Sequence, residues 1–300
     1  MRLENISFSY NGSEKIFDNV NFTLEYGDFV LLSGVSGEGK STLLSIINGM
    51  IPFITPGKLE GKIYVNSEDV TAVRVSERAR LIGTVLQNAD EQIVYDIVRD
   101  EIAFGCENLD IPVETIDRRI EASTNMMKIS PDAKTRTMSG GQKQRLITAS
   151  TLAMKQKIII LDEPLANLDP ATGKRAIDLI DRICRERDKT VIIIEHRLED
   201  ALYRDVDRIV VIGDGRVVAD MTPDELLASD ILIQEGIREP LYVTALKHAG
   251  CQVAAKDHPQ HIETMNLEPY QEKVRAWFEK VSLPEIQGEE KPALEVLDLD

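Results

Sequence analysis

A glycine-rich segment between an expected strand and an expected helix constrains this chain more than any other feature. Residues 34–42 read Gly-Val-Ser-Gly-Glu-Gly-Lys-Ser-Thr and fit the pattern G-x4-G-K-[ST] of a phosphate-binding loop. The apolar run at 29–32 precedes it as a buried strand, and residues 41–50 follow with helical spacing. A strand that leads through such a loop into a helix is typical of α/β folds. The pattern predicts that the chain binds a nucleoside triphosphate.

Each residue type in this loop suits phosphate chemistry. Glycines let the backbone curl so that its N–H groups point inward at phosphate oxygens, beside the positive end of the following helix. Lys40 is expected to reach the β- and γ-phosphates, and the Ser41 hydroxyl to complete the coordination of Mg²⁺. The residues predicted to hold the nucleotide here are Gly34, Ser36, Gly37, Gly39, Lys40, Ser41 and Thr42.

A second apolar run, at 158–161, ends in the carboxylates of Asp162 and Glu163. A buried strand would deliver Asp162 next to the phosphate loop, where it can hold Mg²⁺, often through water. Glu163 points elsewhere and can orient or polarise the attacking water. Acids after a strand can also simply cap the next helix, but a phosphate loop in the same chain favours the metal and catalytic roles.

The rest of the pattern predicts an α/β fold. Short apolar strands alternate with helices over residues 157–212, which indicates a largely parallel sheet covered on both faces. Residues 3–10 alternate with period two, as a strand does. The stretch from about 88 to 153 is mostly helical. Residues 256–300 are acidic and contain several prolines, so we expect a solvated, weakly structured tail or linker with one helix near 270–280.

Composition narrows the function classes. No apolar run is long enough for a membrane-spanning helix or a signal peptide, so we expect a soluble, intracellular chain. The three cysteines lie far apart, which argues against a disulfide framework and against a zinc site. The net charge of −16 repels a phosphate backbone and disfavours nucleic acid as a partner.

Residues 138–145, Met-Ser-Gly-Gly-Gln-Lys-Gln-Arg, lie before the strand that carries Asp162. They resemble the LSGGQ signature of ATP-binding-cassette (ABC) ATPases, with Met138 in place of the usual leucine. Two such domains pack head to tail in that family. The resemblance therefore implies that this segment faces the γ-phosphate held by a partner domain, through Ser139, Gly140, Gly141 and Gln142.

Other family motifs follow in the expected order over residues 1–229. Gln87 resembles the Q-loop glutamine, a contact to Mg²⁺ and water that also senses a transmembrane partner. Asp169 resembles the D-loop aspartate near the dimer interface, and His196 the switch histidine that contacts the γ-phosphate. Tyr10 resembles the aromatic residue that stacks on adenine, although packing on the core as an ordinary strand residue stays open for it.

The resemblance implies a P-loop ATPase fold of the ABC type. Its parts are a mixed or parallel core sheet, an N-terminal antiparallel β subdomain and a helical signature subdomain at about 88–153. We expect an ATPase domain over 1–229 and a C-terminal extension or linker over 230–300. The residues Leu294-Glu295 echo Leu3-Glu4 of the opening strand, so the extension either leads into a truncated second ATPase domain or matches it by chance.

The Q-loop region resembles one subgroup, the ATPases of energy-coupling-factor (ECF) transporters. Residues 87–92 read Gln-Asn-Ala-Asp-Glu-Gln, where that subgroup typically has Q-N-P-D-N-Q, so Ala89 and Glu91 depart from it while Gln92 is kept. Residues 195–199, Glu-His-Arg-Leu-Glu, resemble members with two ATPase halves in one polypeptide. The sequence is therefore interpreted as the N-terminal half of such a tandem protein.

The resemblance implies an ATPase that uses ATP and Mg²⁺ to energise import of a vitamin, a vitamin precursor, or cobalt or nickel ions. Its implied partners are a second ABC ATPase domain, an integral membrane coupling subunit and a substrate-binding membrane protein, with no nucleic acid. The chain would be peripheral at the cytoplasmic face of the cell membrane. The alternatives are the ATPase of an ordinary ABC importer or exporter, and a soluble ABC ATPase of DNA repair or translation.

Overall fold

The strands were assigned in a computed structural model, which describes residues 1–11, 14–166, 168–187 and 189–280. In chain order they are β1 (Arg2–Tyr10), β2 (Lys15–Thr23), β3 (Phe29–Ser33), β4 (Gly57–Val65), β5 (Glu68–Asp69), β6 (Ile82–Val85), β7 (Ile158–Asp162), β8 (Thr190–Ile194), β9 (Arg208–Gly213) and β10 (Arg216–Met221).

The helices connect and cover these strands. They are α1 (Lys40–Asn48), α2 (Met50–Phe53), α3 (Val75–Arg78), α4 (Val98–Glu107), α5 (Val113–Met127), α6 (Gly140–Met154), α7 (Pro170–Arg187), α8 (Leu198–Ala201), α9 (Pro223–Ala228), α10 (Ile231–Gln234), α11 (Leu241–His248) and α12 (Gln271–Phe278). No helix in the described ranges has both the length and the apolar character needed to cross a bilayer.

Two sheets organise the chain. The N-terminal sheet is antiparallel, with strand order β2-β1-β4-β5, and the core sheet has the order β10-β9-β3-β8-β7-β6. Within the core sheet all neighbours pair in parallel except β10 with β9. Both the antiparallel β subdomain and the mixed core sheet are thus confirmed.

The core sheet is buried on both faces, because successive side chains of a strand point to opposite sides. Val30, Ile160 and Ile192 face a cluster shared with the N-terminal sheet and α1. Leu31 and Ile193 face the other cluster, which contains apolar residues of α4–α7 and α9–α11. Within the segment predicted to be mostly helical, α4 and α5 both pack on α6.

The parallel order brings three loops to one edge of the sheet. The carboxyl ends of β3, β7 and β8 are neighbours, so the phosphate loop, Asp162 with Glu163, and Glu195 with His196 follow strands that lie side by side. Residues far apart in sequence are therefore placed together by strand pairing.

Apolar residues between Leu232 and Tyr270 pack in the same cluster as α7 and β9, and the expectation of a weakly structured tail is wrong for residues 256–270. Met265 and Tyr270 are buried and belong to the same apolar cluster as α7 and β9. The Tyr270 hydroxyl donates to Asp257 Oδ2 at 2.6 Å. Burial of Met265 and Tyr270 is enough to order this segment, although its overall composition is acidic. The helix expected near 270–280 is present as α12, whereas Leu294-Glu295 lies outside the described residues.

Tyr242 on α11 is hydrogen-bonded to residues 259 and 260, and this contact leads to a stability prediction. The Tyr242 hydroxyl lies 2.6 Å from Pro259 O and 2.8 Å from Gln260 O, and burial raises the pKa of this phenol. Tyr242→Phe removes the donor from both carbonyls, so we expect urea denaturation to show a loss of about 1 kcal/mol. Tyr203→Phe is the matched control, because its ring sits at the surface beside Lys174 and keeps that contact. Equal stability of the wild type and Tyr242→Phe would contradict the fastening role.

Candidate nucleotide site

The phosphate loop joins β3 to α1 through a backbone that only glycine adopts easily. Gly37 and Gly39 have φ values of +95° and +86°, in the left-handed region. A Cβ atom on Gly39 would also lie 2.7 Å from Ile16 Cγ2. Helix α1 begins directly after Gly39, so the backbone N–H groups of its first turn are free of intrahelical partners.

Lys40 lies under this loop and is 5 % exposed. Its Nζ donates to Gly34 O and to Val35 O, each at 2.8 Å. Burial lowers the pKa of Lys40, and the nearby carboxylates of Glu163 and Asp162 act in the opposite direction. The ammonium group is therefore held between the loop carbonyls and two acids.

Asp162 is the last residue of β7 and is buried. Burial raises the pKa of its carboxyl, and a hydrogen bond from Ser41 opposes that shift. Among the described residues, Asp162 Oδ1 has no hydrogen-bond partner. A buried carboxylate oxygen without a partner is uncommon in proteins. Because Ser41 hydrogen-bonds the same carboxyl group, Ser41 and Asp162 together offer oxygen atoms of the kind that hard cations bind.

Glu163 follows Asp162 with a left-handed φ of +45°, and its backbone N–H donates to Ile194 O at 2.9 Å. Its side chain is held from two sides. Gln87 Nε2 donates to Oε2 at 2.6 Å, and His196 Nε2 lies 2.7 Å from Oε1. The three residues that the sequence predicts to be catalytic therefore meet at one carboxylate.

Tyr10 lies at the exposed end of β1, next to the phosphate loop. Its phenolic oxygen is 3.4 Å from Thr42 Oγ1, and its ring meets that of Phe8 edge-on, with centroids 4.9 Å apart. The side chain is 37 % exposed. The ring thus stands beside the loop instead of being enclosed in the core.

The signature segment opens α6. Ser139 is the N-cap residue, and its backbone N–H donates to Gln142 Oε1 at 2.8 Å. Gln142 is therefore engaged in capping the helix. A Cβ atom on Gly140 would meet no atom within 4 Å, so this glycine borders open space. Gly140 and Glu163 line one small cleft.

Asp169 caps α7 and does not reach the other predicted site residues in the contacts of the described chain. Its Oδ1 accepts from the N–H groups of Ala171 and Thr172, both at 3.1 Å. Hydrogen bonds from Thr172 lower the pKa of Asp169. Asn167, in the same motif, lies outside the described residues.

Two polar residues that the sequence marked only as features of the ECF subgroup, Gln92 and Glu195, shape the site. Gln92 accepts from Leu86 N–H at 3.1 Å and donates to Thr84 O at 2.8 Å, which fixes the segment around Gln87 to the end of β6. Glu195 is 2 % exposed and accepts backbone N–H groups from two loops. The sequence signal for Glu195 is a carboxylate directly after the apolar run of the buried β8 strand, a place where a buried acid needs hydrogen-bond donors.

The phosphate loop, the paired acids Asp162 and Glu163 and the order of the core sheet together define a P-loop fold. A family model described as ABC transporter matches residues 17–166, and one described as ATP-binding cassette cobalt transporter matches residues 229–300. The chain belongs to the ABC transporter family. The match to the cobalt-transporter family and the similarity to the solved structure of CbiO1 from Clostridium perfringens confirm the resemblance to ECF-type members.

Curated relatives of this chain are described as ABC transporter ATP-binding proteins. The chain is 43 % identical over 281 residues to an ABC transporter ATP-binding protein of Photobacterium profundum, covering 93 % of this chain and 50 % of that protein. A Clostridium perfringens protein of the same description is 40 % identical over 285 residues, covering 94 % and 50 %. The chain thus spans about half the length of the curated relatives it matches.

Two solved structures share the fold. CbiO1 from Clostridium perfringens, described as part of the ABC transporter complex CbiONQ, has 26 % identity and a TM-score of 0.69, covering 82 % of this chain and 98 % of that one. A dimeric ATP-binding cassette in a post-hydrolysis state, bound to ADP and Pi, has 26 % identity and a TM-score of 0.64, covering 74 % and 97 %.

Proposed function

We propose that this chain is the ATP-binding and hydrolysing part of an ECF-type importer of a vitamin, a vitamin precursor or a transition-metal ion. The observation that carries the proposal is Glu163, held between Gln87 and His196 beside the buried Lys40. The proposal divides the chain into an ATPase domain at 1–229 and an extension at 230–300, and takes it as one half of a tandem protein.

ATP is proposed to bind at the phosphate loop. The backbone N–H groups around Gly37 and Gly39 and the first turn of α1 would receive its phosphate oxygens. Lys40 would exchange its two carbonyl acceptors for the β- and γ-phosphates. Gly34, Ser36 and Thr42 complete the loop in this proposal.

The residues next to the loop fit Mg²⁺. Asp162 Oδ1, without a partner in the described chain, and the adjacent Ser41 hydroxyl would hold the ion, with Gln87 as a further oxygen donor. When bound, the ion would neutralise charge on the β- and γ-phosphates. Burial of the Asp162 carboxylate supports this role, because a buried anion is stabilised by a neighbouring cation.

Hydrolysis is proposed to depend on the three residues around Glu163. Its carboxylate would orient and polarise the attacking water, and the Gln87 and His196 contacts fix its rotamer. His196 would also contact the γ-phosphate. Fixed donors and acceptors of this kind need little reorganisation during the reaction.

A second ABC ATPase domain is the proposed partner at this site. Ser139, Gly140, Gly141 and Gln142 would close over the nucleotide of that partner, and Asp169 would lie near the interface. The open space beside Gly140 supports a close approach of a ligand to the helix N-terminus. ATP would favour the closed pair only through its higher affinity for that state.

Tyr10 is proposed to stack on the adenine ring, which gives a testable prediction. Tyr10→Leu should weaken ATP binding about tenfold, because stacking of a base on an aromatic ring contributes about 1–3 kcal/mol. Tyr10→Phe is the matched control, since it keeps the ring and loses only the hydroxyl near Thr42. Titration with a fluorescent ATP analogue measures both. Equal affinities for wild type and Tyr10→Leu would leave Tyr10 as a packing residue.

The membrane proteins that bind this chain distinguish an ECF-type importer from an ordinary ABC transporter. We propose a location at the cytoplasmic face of the membrane, with a coupling subunit and a substrate-binding membrane protein as partners and no nucleic acid. The matched family, described as ATP-binding cassette cobalt transporter, favours a transition-metal ion among the substrates. Affinity capture from detergent-solubilised membranes tests this. Recovery of a channel that depends on a periplasmic binding protein, or of an exporter, would favour an ordinary ABC transporter.

A further inference from the structure

Two side chains on either side of His196 hold the backbone of one residue, Leu165, in the loop after Glu163. Glu195 Oε1 accepts from Leu165 N–H at 3.0 Å, and Arg197 Nη2 donates to Leu165 O. The N–H and the C=O of Leu165 are therefore both bonded to the segment that carries His196. Glu195 Oε2 also accepts the N–H of His196, at 3.1 Å.

The bonds made by Glu195 lie in the protein interior. Leu165 is fully buried and Glu195 is 2 % exposed, so water cannot replace them. A buried backbone N–H requires a partner, and a carboxylate offers two acceptor oxygens to two loops at once. The Glu195 backbone N–H donates to Leu32 O at 3.2 Å, which anchors this residue to β3 just before the phosphate loop.

Leu165 is close in sequence to the proposed hydrolysis site. It follows Glu163 by two residues and precedes Asp169, which caps α7, by four. Arg197 is additionally fixed by Asp200 Oδ2, 3.1 Å from its Nη1. A shift of the 164–166 segment must therefore move His196 as well, or break these bonds.

We propose that Glu195 and Arg197 are positioning residues that lock the loop after Glu163 to His196, so that movement of this loop controls hydrolysis. The inference rests on the proposed function, because it takes Glu163 and His196 as the hydrolytic groups. A second ATPase domain that contacts the loop near Asp169 would set the position of His196 relative to Glu163. Hydrolysis would then proceed only when the partner domain is seated.

The test compares Glu195→Gln and Arg197→Met with wild type in the purified full chain. An amide offers one acceptor oxygen and places its NH₂ against the second N–H, so Glu195→Gln breaks one of the two loop contacts. We expect about a tenfold fall in kcat for each variant with KM for ATP unchanged. The double variant should be no slower than the worse single variant, because both substitutions release the backbone of the same residue, Leu165.

A second readout does not depend on activity. Hydrogen exchange should become faster in residues 163–166 and 195–198 together in both variants, and stay unchanged in the phosphate loop. Glu199→Gln is the matched control: it removes the same charge four residues further on, where the exposed carboxylate accepts the Leu241 N–H at 3.3 Å. We expect it to match wild type in kcat and exchange.

The outcomes separate the two proposals. A wild-type chain that binds but never hydrolyses ATP would overturn the proposed function. A hydrolysing wild type with unchanged kcat and exchange in Arg197→Met would overturn the lock alone. Arg197 is 44 % exposed, so this variant serves if Glu195→Gln fails to fold. Additive losses in the double variant would likewise reject the lock and indicate two separate structural roles.

Discussion

Replacing Glu163 with glutamine is expected to reduce ATP turnover by about 10²- to 10⁴-fold, the range that general acid–base groups contribute. The amide keeps the shape of the side chain and can accept from only one of its two neighbours, Gln87 or His196. It cannot take a proton from water. Because Lys40 and the phosphate loop are untouched, ATP affinity should be close to that of wild type.

This variant should also accumulate as a dimer when ATP is added, with itself or with the second half. Dimers that form on ATP and cannot hydrolyse it have no route to reopen, so size-exclusion chromatography with and without ATP measures the effect. Glu121→Gln is the matched control, an exposed acid on α5 whose carboxylate has no hydrogen bond or ion pair to a site residue in the part of the chain that the structure describes. If ATP fails to produce the dimer, Glu163 is not the hydrolytic carboxylate.

Lys40→Ala is expected to lower ATP affinity by about a hundredfold, because hydrogen bonds to charged groups contribute about 1.5–3 kcal/mol each. The substitution removes the ammonium group that the proposal assigns to the phosphates. It also leaves Gly34 O and Val35 O without their donor, so some loss of stability is expected. Isothermal titration with ATP measures the affinity directly.

A thermal unfolding scan separates the two effects of Lys40→Ala. The variant should be folded at the titration temperature and bind ATP poorly. Lys62→Ala serves as control, because Lys62 forms an exposed ion pair with Asp69 that contributes little. A folded Lys40→Ala variant with wild-type affinity for ATP would refute the assignment of this lysine to the phosphates.

The sequence was sufficient to predict the residues at the centre of the site. The phosphate loop, Asp162 and Glu163 each follow an apolar strand, and parallel pairing of such strands places their ends together. Gln87 and His196 came from the family resemblance, and both contact Glu163 in the structure. Their chemical roles stay predictions until the variants above are measured.

Features that depend on three-dimensional packing were beyond sequence reasoning. The burial of Met265 and Tyr270 could not be predicted, because the sequence after residue 256 is acidic and the spacing of these two residues follows no helical or strand period. The Glu195 contact to Leu165 spans 30 residues and requires the loops after β7 and β8 to be adjacent. Gln142 and Asp169 both take part in helix capping, an interaction that cannot be predicted from a family motif.

The way the extension folds back has a practical consequence for making this protein. Leu232, Val243 and Leu246 share an apolar cluster with β9 and α7. A recombinant version ending at residue 229 would expose that surface to water and invite aggregation. Expression trials aimed at biochemistry or crystallisation are best designed to retain residues 230–280.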